Sequence, residues 1–512
     1  MFAKLLSGTI SGFEPLLIEV EVDIAGGLPT FTIVGLPDAA VNEAKERVRA
    51  ALKNAGYDLP ARRITINLAP ADVRKEGAGL DIALAIALMI ALEEIPAART
   101  EGLLFLGETS LDGRFRHARG VLPLALLVKE KKLAGIIVPK DNEQEAAVVP
   151  GIKVHGFSNL DDLIKALKAE TPLLCTIPAP SLEFGQVATF AHVDLAEIQG
   201  QSFARRALEV GAAGNHNLLM VGPPGSGKTL LARALPTVLP PLSFEEALEV
   251  TRIFSIKGLL PPGSGLVQRR PFRDPHHTIS DVALIGGGRI PAPGEVSLAH
   301  HGVLFLDELP EFRKGVLEVL RQPLSEGQVA ISRAAQTVSF PAQFQLVAAM
   351  NPCPCGHAGD PLKVCACNPG QIRSYQQKLS GPLLDRIDLQ IGVPRLKPEE
   401  MTLAASGESS KTVAERVRVA RERQFARQKH ARIPHLNAQL SPRQVKSFCG
   451  LEDAGLHLLG EAVRKFGLSA RAYDKILRVA RTIADLEGTE NIDIPHLAEA
   501  IQYRTVDIFS GT

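Results

Sequence analysis

The run Gly222-Pro223-Pro224-Gly225-Ser226-Gly227-Lys228-Thr229 matches GxxxxGK[ST] in full. Its glycines let the backbone curl so that successive N–H groups point inward at phosphate oxygens. A helix opening at Thr229 would add the partial positive charge of its N-terminus. Lys228 would then reach the β- and γ-phosphates and the Thr229 hydroxyl would bind Mg²⁺. A second constellation, Asp307-Glu308, emerges from the apolar run Val303 to Leu306. Asp307 would hold Mg²⁺ through water, and Glu308 would polarise the attacking water as general base. ATP and Mg²⁺ are thus the expected cofactors.

Three further polar residues stand where such a site needs them. Asn351 ends the apolar run Gln345 to Met350. It could orient water between Glu308 and the γ-phosphate, or simply turn the chain ahead of Pro352. Arg386 (LLDRID) and Arg471 (LSARAY) offer guanidinium groups for transition-state charge. A finger supplied by a neighbour is worth roughly 10³–10⁵ in rate. Their residue types alone fit a surface ion pair equally well. Four of the six cysteines, Cys353, Cys355, Cys365 and Cys367, form a C-x-C…C-x-C set. Four thiolates on two tight turns could wrap one structural Zn²⁺ and leave no open position. Free thiols in a surface loop are the alternative, since C-x-C is tighter than the usual spacing. His357 is a substitute ligand. His276-His277 has no third ligand nearby and reads as a structural or interface pair.

The elements that must position these groups form an α/β chain of three parts. Residues 1–168 alternate strands (16–22, 30–34, 63–68, 103–106, 135–139) with helices (39–55, 80–92, 160–168). Residues 169–190 contain prolines and read as a linker. Residues 191–395 alternate short apolar strands (218–221, 303–306, 344–350) with helices, the pattern of a parallel sheet covered on both faces. Residues 396–512 read as helical. Open sheets of this kind bind ligands outside the carboxyl ends of their strands, where both phosphate motifs fall. The net charge of +1 advertises neither nucleic acid nor membrane, so any basic surface must be local. The longest apolar run, Ile82 to Leu92, is short of the about 20 residues a bilayer requires. No apolar leader opens the chain, so a soluble, cytoplasmic protein without membrane partners is expected.

The stretch from Arg270 to Phe312 (RPFRDPHHTISDVALIGGGRIPAPGEVSLAHHGVLFLDELPEF), with MNPCPCG, LSGPLLDRIDL and LSARAYDKILRVARTIADL, resembles the magnesium-chelatase-like AAA+ ATPases of the ComM (YifB) type. The resemblance covers about residues 5–506. It implies a P-loop AAA+ domain with a C-terminal helical lid, assembled as a homo-hexamer with ATP at subunit interfaces. Asn351 would be sensor 1, Arg386 the trans arginine finger and Arg471 the sensor-2 arginine. It also implies a DNA motor that drives branch migration of recombination intermediates, as in natural transformation. Residues 1–168 resemble a Lon-protease-like domain of the ribosomal S5 domain 2-like fold. Gly79 stands where that protease carries its serine, and the match to its lysine gives Leu122. A domain without peptidase activity follows. In related motors the insertions 253–275 and 329–340 face a central pore, which makes Lys257 and Arg333 candidate DNA contacts or ordinary surface charges.

The basic segment 411–432 spreads its charges over several helix faces and reads as a solvated lid helix before a DNA track. Gln268, Arg269 and Arg270 form a smaller basic patch. Rival readings are a magnesium-chelatase-like protein-remodelling ATPase, an ATP-dependent protease and a nucleotide-gated scaffold. The missing Ser and Lys count against the protease, and the intact Glu308 against the scaffold.

Overall fold

The computed structural model describes residues 1–72, 75, 79–176, 193–288, 291–333, 336–360, 362–396, 407–428 and 435–505. They divide into two compact units, neither contiguous in sequence. One comprises Met1–Ala188 with Ser243–Gln268, the other Thr189–Leu242 with Arg269–Thr512. The linker expected at 169–190 begins with chain bound to the first unit, where the Thr176 N–H donates to the Val154 carbonyl at 2.8 Å. Its remainder, from 177, lies outside the described residues.

The first unit is built on a seven-stranded mixed sheet. Its order is Thr30–Val34, Arg63–Ala69, Glu14–Ala25, Phe2–Ser11, Leu103–Phe105, Gly135–Pro139, Val154–Phe157. The helix Asp81–Ala91 is buried at every position, as its all-round apolar sequence requires. Segment 243–268, expected as part of the P-loop domain, belongs to this unit instead. Its helix Phe244–Lys257 is fixed by buried polar bonds. Ser255 Oγ donates to Glu145 Oε1 at 2.5 Å, and Arg252 Nη2 donates to the Phe13 carbonyl at 2.6 Å. Arg252 also lies over the Phe13 ring, 4.0 Å from its centroid. Lys257 is exposed at the end of that helix.

The second unit carries a five-stranded parallel sheet in the order Phe272–Arg273, Val303–Leu306, Gln345–Met350, Leu218–Val221, Leu389–Gly392. The three middle strands are buried throughout, as strands covered on both faces must be. The C-terminal helices Ser410–Arg427, Pro442–Phe448, Asp453–Phe466, Ala470–Glu487 and Ile494–Thr505 follow. They form the expected C-terminal helical part and pack onto the sheet of this unit. Val417, Ile476 and Tyr503 share one continuous core with Leu208, Met220 and Leu389. The first of these helices buries Arg421 and half-buries Arg416 and Arg427, while Lys411, Arg418 and Arg423 stay exposed, as a solvated helix face requires. Arg421 donates to the Ala212 carbonyl, Arg423 to the Asp485 carbonyl, and Arg427 pairs with Asp485. These bonds tie the helix to the core of the unit, and the exposed Arg418 is paired with Glu415 and Glu422. Lys429 and Arg432 lie outside the described residues. The hairpin expected near 329–340 is present as Gln328–Arg333 paired with Gln336–Pro341.

Candidate active site

The P-loop strand Leu218–Val221 runs beside Gln345–Met350, which in turn lies beside Val303–Leu306. Their carboxyl ends therefore deliver Gly222, Asn351 and Asp307 side by side. The Gly222 N–H donates to the Met350 carbonyl at 3.2 Å. Thr229 Oγ1 donates to Asp307 Oδ2 at 2.9 Å, so the two groups expected to share Mg²⁺ are already in contact. Lys228 Nζ donates to the Gly222 and Pro223 carbonyls at 2.7 and 2.9 Å and to Asn351 Oδ1 at 3.4 Å. Burial lowers the Lys228 ammonium to about 8, against the opposing pull of Asp307 and Glu308.

The loop between strand and helix fits a phosphate chain. Gly225 and Gly227 have φ of +75° and +92°, which side chains rarely tolerate. The helix Lys228–Val238 starts directly behind them. Ser226 Oγ is buried without a hydrogen-bond partner in the protein, an atom whose desolvation a ligand oxygen would offset. The donor set also suits the cation: a hydroxyl and a carboxylate are the hard oxygen ligands Mg²⁺ takes.

Glu308 has φ +51°, an uncommon conformation for a residue with a side chain. Strain of this kind collects at functional sites. Asp307 holds it from behind, accepting the Glu308 N–H at 2.9 Å. His277 Nδ1 lies 3.3 Å from Glu308 Oε2. The sequence assigned His277 no part in this site. Its place follows from the two-residue strand Phe272–Arg273, which pairs in parallel with Val303–Leu304 and sends the following turn toward Glu308.

Arg386 and Arg471 do not join these groups. Arg386 lies just before Leu389–Gly392, at the amino end of the sheet, where its carbonyl accepts from Asn217 Nδ2 at 3.0 Å. One strand of four residues, roughly 13 Å at the usual rise, separates that end from the phosphate loop. Arg386 Nε donates to Ser325 Oγ at 2.9 Å and to the Arg321 carbonyl at 3.2 Å. Arg471 stands in the first turn of Ala470–Glu487, 73% exposed and 4.0 Å from Asp385. A cation there opposes the helix dipole, so local stability does not explain it. Both arginines line one cavity of about 640 Å³.

A buried pair ties their supports together. Lys475, one turn beyond Arg471, donates to Asp388 Oδ1 at 2.6 Å. Asp388, two residues beyond Arg386, also accepts the Asn217 N–H at 2.9 Å. The Lys475 ammonium holds the Asp388 carboxyl well below the usual range against its burial. Arg270, expected in a basic patch, is committed to the Pro240 and His301 carbonyls, each at 2.7 Å.

The four cysteine sulfurs converge, all within 4.8 Å of one another. Cys353 Sγ lies 3.4 Å from Cys355 Sγ and 3.6 Å from Cys365 Sγ, and Cys355 Sγ lies 3.5 Å from Cys365 Sγ. These separations are too long for disulfides and close to the about 3.8 Å edge of a tetrahedron with 2.3 Å Zn–S bonds. His357 is turned to Asp360 at 3.0 Å instead.

Three family profiles match the chain. Magnesium chelatase, subunit ChlI, covers residues 194–401, subunit ChlI of Mg-chelatase covers 20–142, and the ChlI C-terminal region covers 407–504. The competence protein ComM of Haemophilus influenzae is 44% identical over 509 residues, spanning 97% of this chain and 96% of that protein. An uncharacterised protein of Salmonella typhimurium, YifB, is 44% identical over 498 residues, 96% and 94% of the two chains. YifB of Escherichia coli is 44% identical over 497 residues, again 96% and 94%.

Proposed function

The chain belongs to the magnesium-chelatase-like AAA+ family of the ComM/YifB type, and from that premise we propose that it is an ATP-hydrolysing hexameric motor acting on branched DNA. The observation that carries the assembly is the split of the hydrolytic groups. Lys228, Thr229, Asp307, Glu308 and Asn351 occupy one end of the parallel sheet, and Arg386 and Arg471 the other. A head-to-tail contact between copies would bring the two ends together, and such contacts close into rings when the rotation fits.

In this mechanism Lys228 leaves the Gly222 and Pro223 carbonyls for the β- and γ-phosphates. Thr229 and Asp307 would hold Mg²⁺, which would spread the phosphate charge. Asn351 fixes the attacking water between Glu308 and the γ-phosphate. Glu308 takes its proton as the water oxygen bonds to the γ-phosphorus and the bond from that phosphorus to the β–γ bridging oxygen breaks, releasing ADP with the electron pair. Arg386 and Arg471 of the adjoining copy meet the charge that develops on the transferred group. The four cysteines would hold one structural Zn²⁺. In the N-terminal domain, Gly79 supplies no nucleophile, and Leu122 is fully buried with its N–H on Glu145, so that domain serves assembly or DNA binding without peptidase activity.

The DNA substrate rests on the relative named a competence protein. A ring that tracks phosphodiester backbone needs no base readout, so its binding should weaken steeply with salt. The test is ATPase turnover titrated with fork, junction and duplex DNA, alongside the mass of the assembly with nucleotide. Stimulation by branched DNA and a hexameric mass are expected. Turnover and assembly that ignore every DNA would instead support the remodelling of a protein partner.

A further inference from the structure

We propose that the metal knuckle at Cys353–Cys367 is a brace for the phosphate loop, so that bound Zn²⁺ sets the affinity for ATP. The inference rests on the Zn²⁺ reading above and adds a role to it.

The knuckle starts two residues after Asn351 and folds back onto the outer turn of the P-loop. Gly356, at φ +84°, lies so close to Pro224 that a Cβ there would stand 2.7 Å from Pro224 Cδ. That approach excludes any side chain and defines a backbone-to-ring contact between knuckle and loop. A second tie is polar. Arg395 Nη2 donates to the Pro224 carbonyl at 3.1 Å and lies 3.5 Å from Asp360 Oδ2. The Asp360 side chain has no exposed surface and is also bound by His357. Asp360 and His357 both lie between the two C-x-C turns, so the metal fixes the loop that carries them.

The thiolates are prepared for a cation. The Ala358 N–H points at Cys353 Sγ at 3.3 Å, the Cys355 N–H at Cys367 Sγ at 3.4 Å, and the Cys367 N–H at Cys365 Sγ at 3.4 Å. Donors around ligand sulfurs are the outer shell that orients a metal site. With Zn²⁺ in place, Gly356 and Asp360 are held and Pro224 cannot move outward. Without it, four thiols lose their common centre, and the P-loop turn loses its wall and the Arg395 tether.

The experiment uses the full chain. Zinc content is measured by atomic absorption, and binding of a fluorescent ATP analogue is measured before chelation, after chelation and after zinc is restored. Asp360→Asn and Gly356→Ala, which keep all four cysteines, are measured in parallel. The native chain should carry zinc, and chelation should weaken nucleotide binding by roughly fivefold or more, reversibly, the effect of one lost tether to a charged group. Both variants should retain zinc and show the same direction of change. Zinc below about 0.2 equivalents per chain overturns the metal reading and the brace with it. Full zinc content with nucleotide affinity unmoved by the two variants overturns the brace alone. Should chelation unfold the chain, the variants decide.

Discussion

The two ends of the five-stranded sheet are built differently. At the carboxyl end the polar groups contact each other: Thr229 bonds Asp307, and Lys228 bonds its own loop and Asn351. At the amino end, Arg471 reaches into solvent 4.0 Å from Asp385, Arg386 is held by Ser325 and the Arg321 carbonyl, and the supports beneath them, Asp388 and Lys475, are buried and paired. The first end has the features of a pocket preorganised for a ligand. The second has those of a surface made rigid from below and offered to another molecule. Under the proposed function a single chain would hold the two halves of a hydrolytic centre back to back, and catalysis would wait on assembly.

The largest expected effect breaks the outward end. Arg386→Ala should lower ATP turnover by about 10³-fold or more while leaving nucleotide binding intact, read by phosphate release and by binding of a fluorescent analogue. Equal losses in both would place Arg386 in ground-state binding. At the inward end, Glu308→Gln should cost roughly 10²–10⁴ in turnover with ATP still bound. Unchanged turnover would remove Glu308 as the base.

The supports come next. Lys475→Met leaves the buried Asp388 with the Asn217 N–H but without its ammonium partner, a loss that typically costs about 3–5 kcal/mol, read as a lowered midpoint of thermal unfolding. Adding Asp388→Asn should recover part of that loss. A single variant as stable as the parent would mean the pair does not anchor the two arginine-bearing segments.

The smallest effect is a pH dependence that separates the ends. Burial holds Lys228 near 8, and phosphate oxygens favour its charged form. Binding therefore takes up a proton when the free site has lost one. ATP affinity should be full below pH 8 and fall as pH rises through it, by at most about tenfold per unit. Calorimetry in buffers of different ionisation enthalpy would show the proton uptake. A flat profile to pH 9.5 would contradict a buried Lys228 amine.

Much of the carboxyl end was legible because parallel buried strands are continuous apolar runs. Leu218–Val221 and Val303–Leu306 read directly as strands, and each ends in its motif. The hairpin at 328–341 was visible in its alternation. What failed depends on contacts between distant segments. Nothing in 243–268 signals that it folds with the N-terminal unit, since the signal lies in Glu145 and Phe13. Arg421 and Arg427 look like part of a solvated face until the Ala212 carbonyl and the Asp485 carboxylate are placed beneath them. His277 escaped because a two-residue strand has no periodicity to read.

Mixed assemblies test the back-to-back arrangement most directly. Lys228→Ala subunits lack a working phosphate loop and Arg386→Ala subunits lack the finger, so neither alone should hydrolyse ATP. Co-assembled in equal amounts, one interface in roughly four should pair an intact loop with an intact arginine, restoring roughly a quarter of parental turnover. No recovery at any ratio, in assemblies shown by mass to contain both subunits, would contradict a site completed by the neighbour.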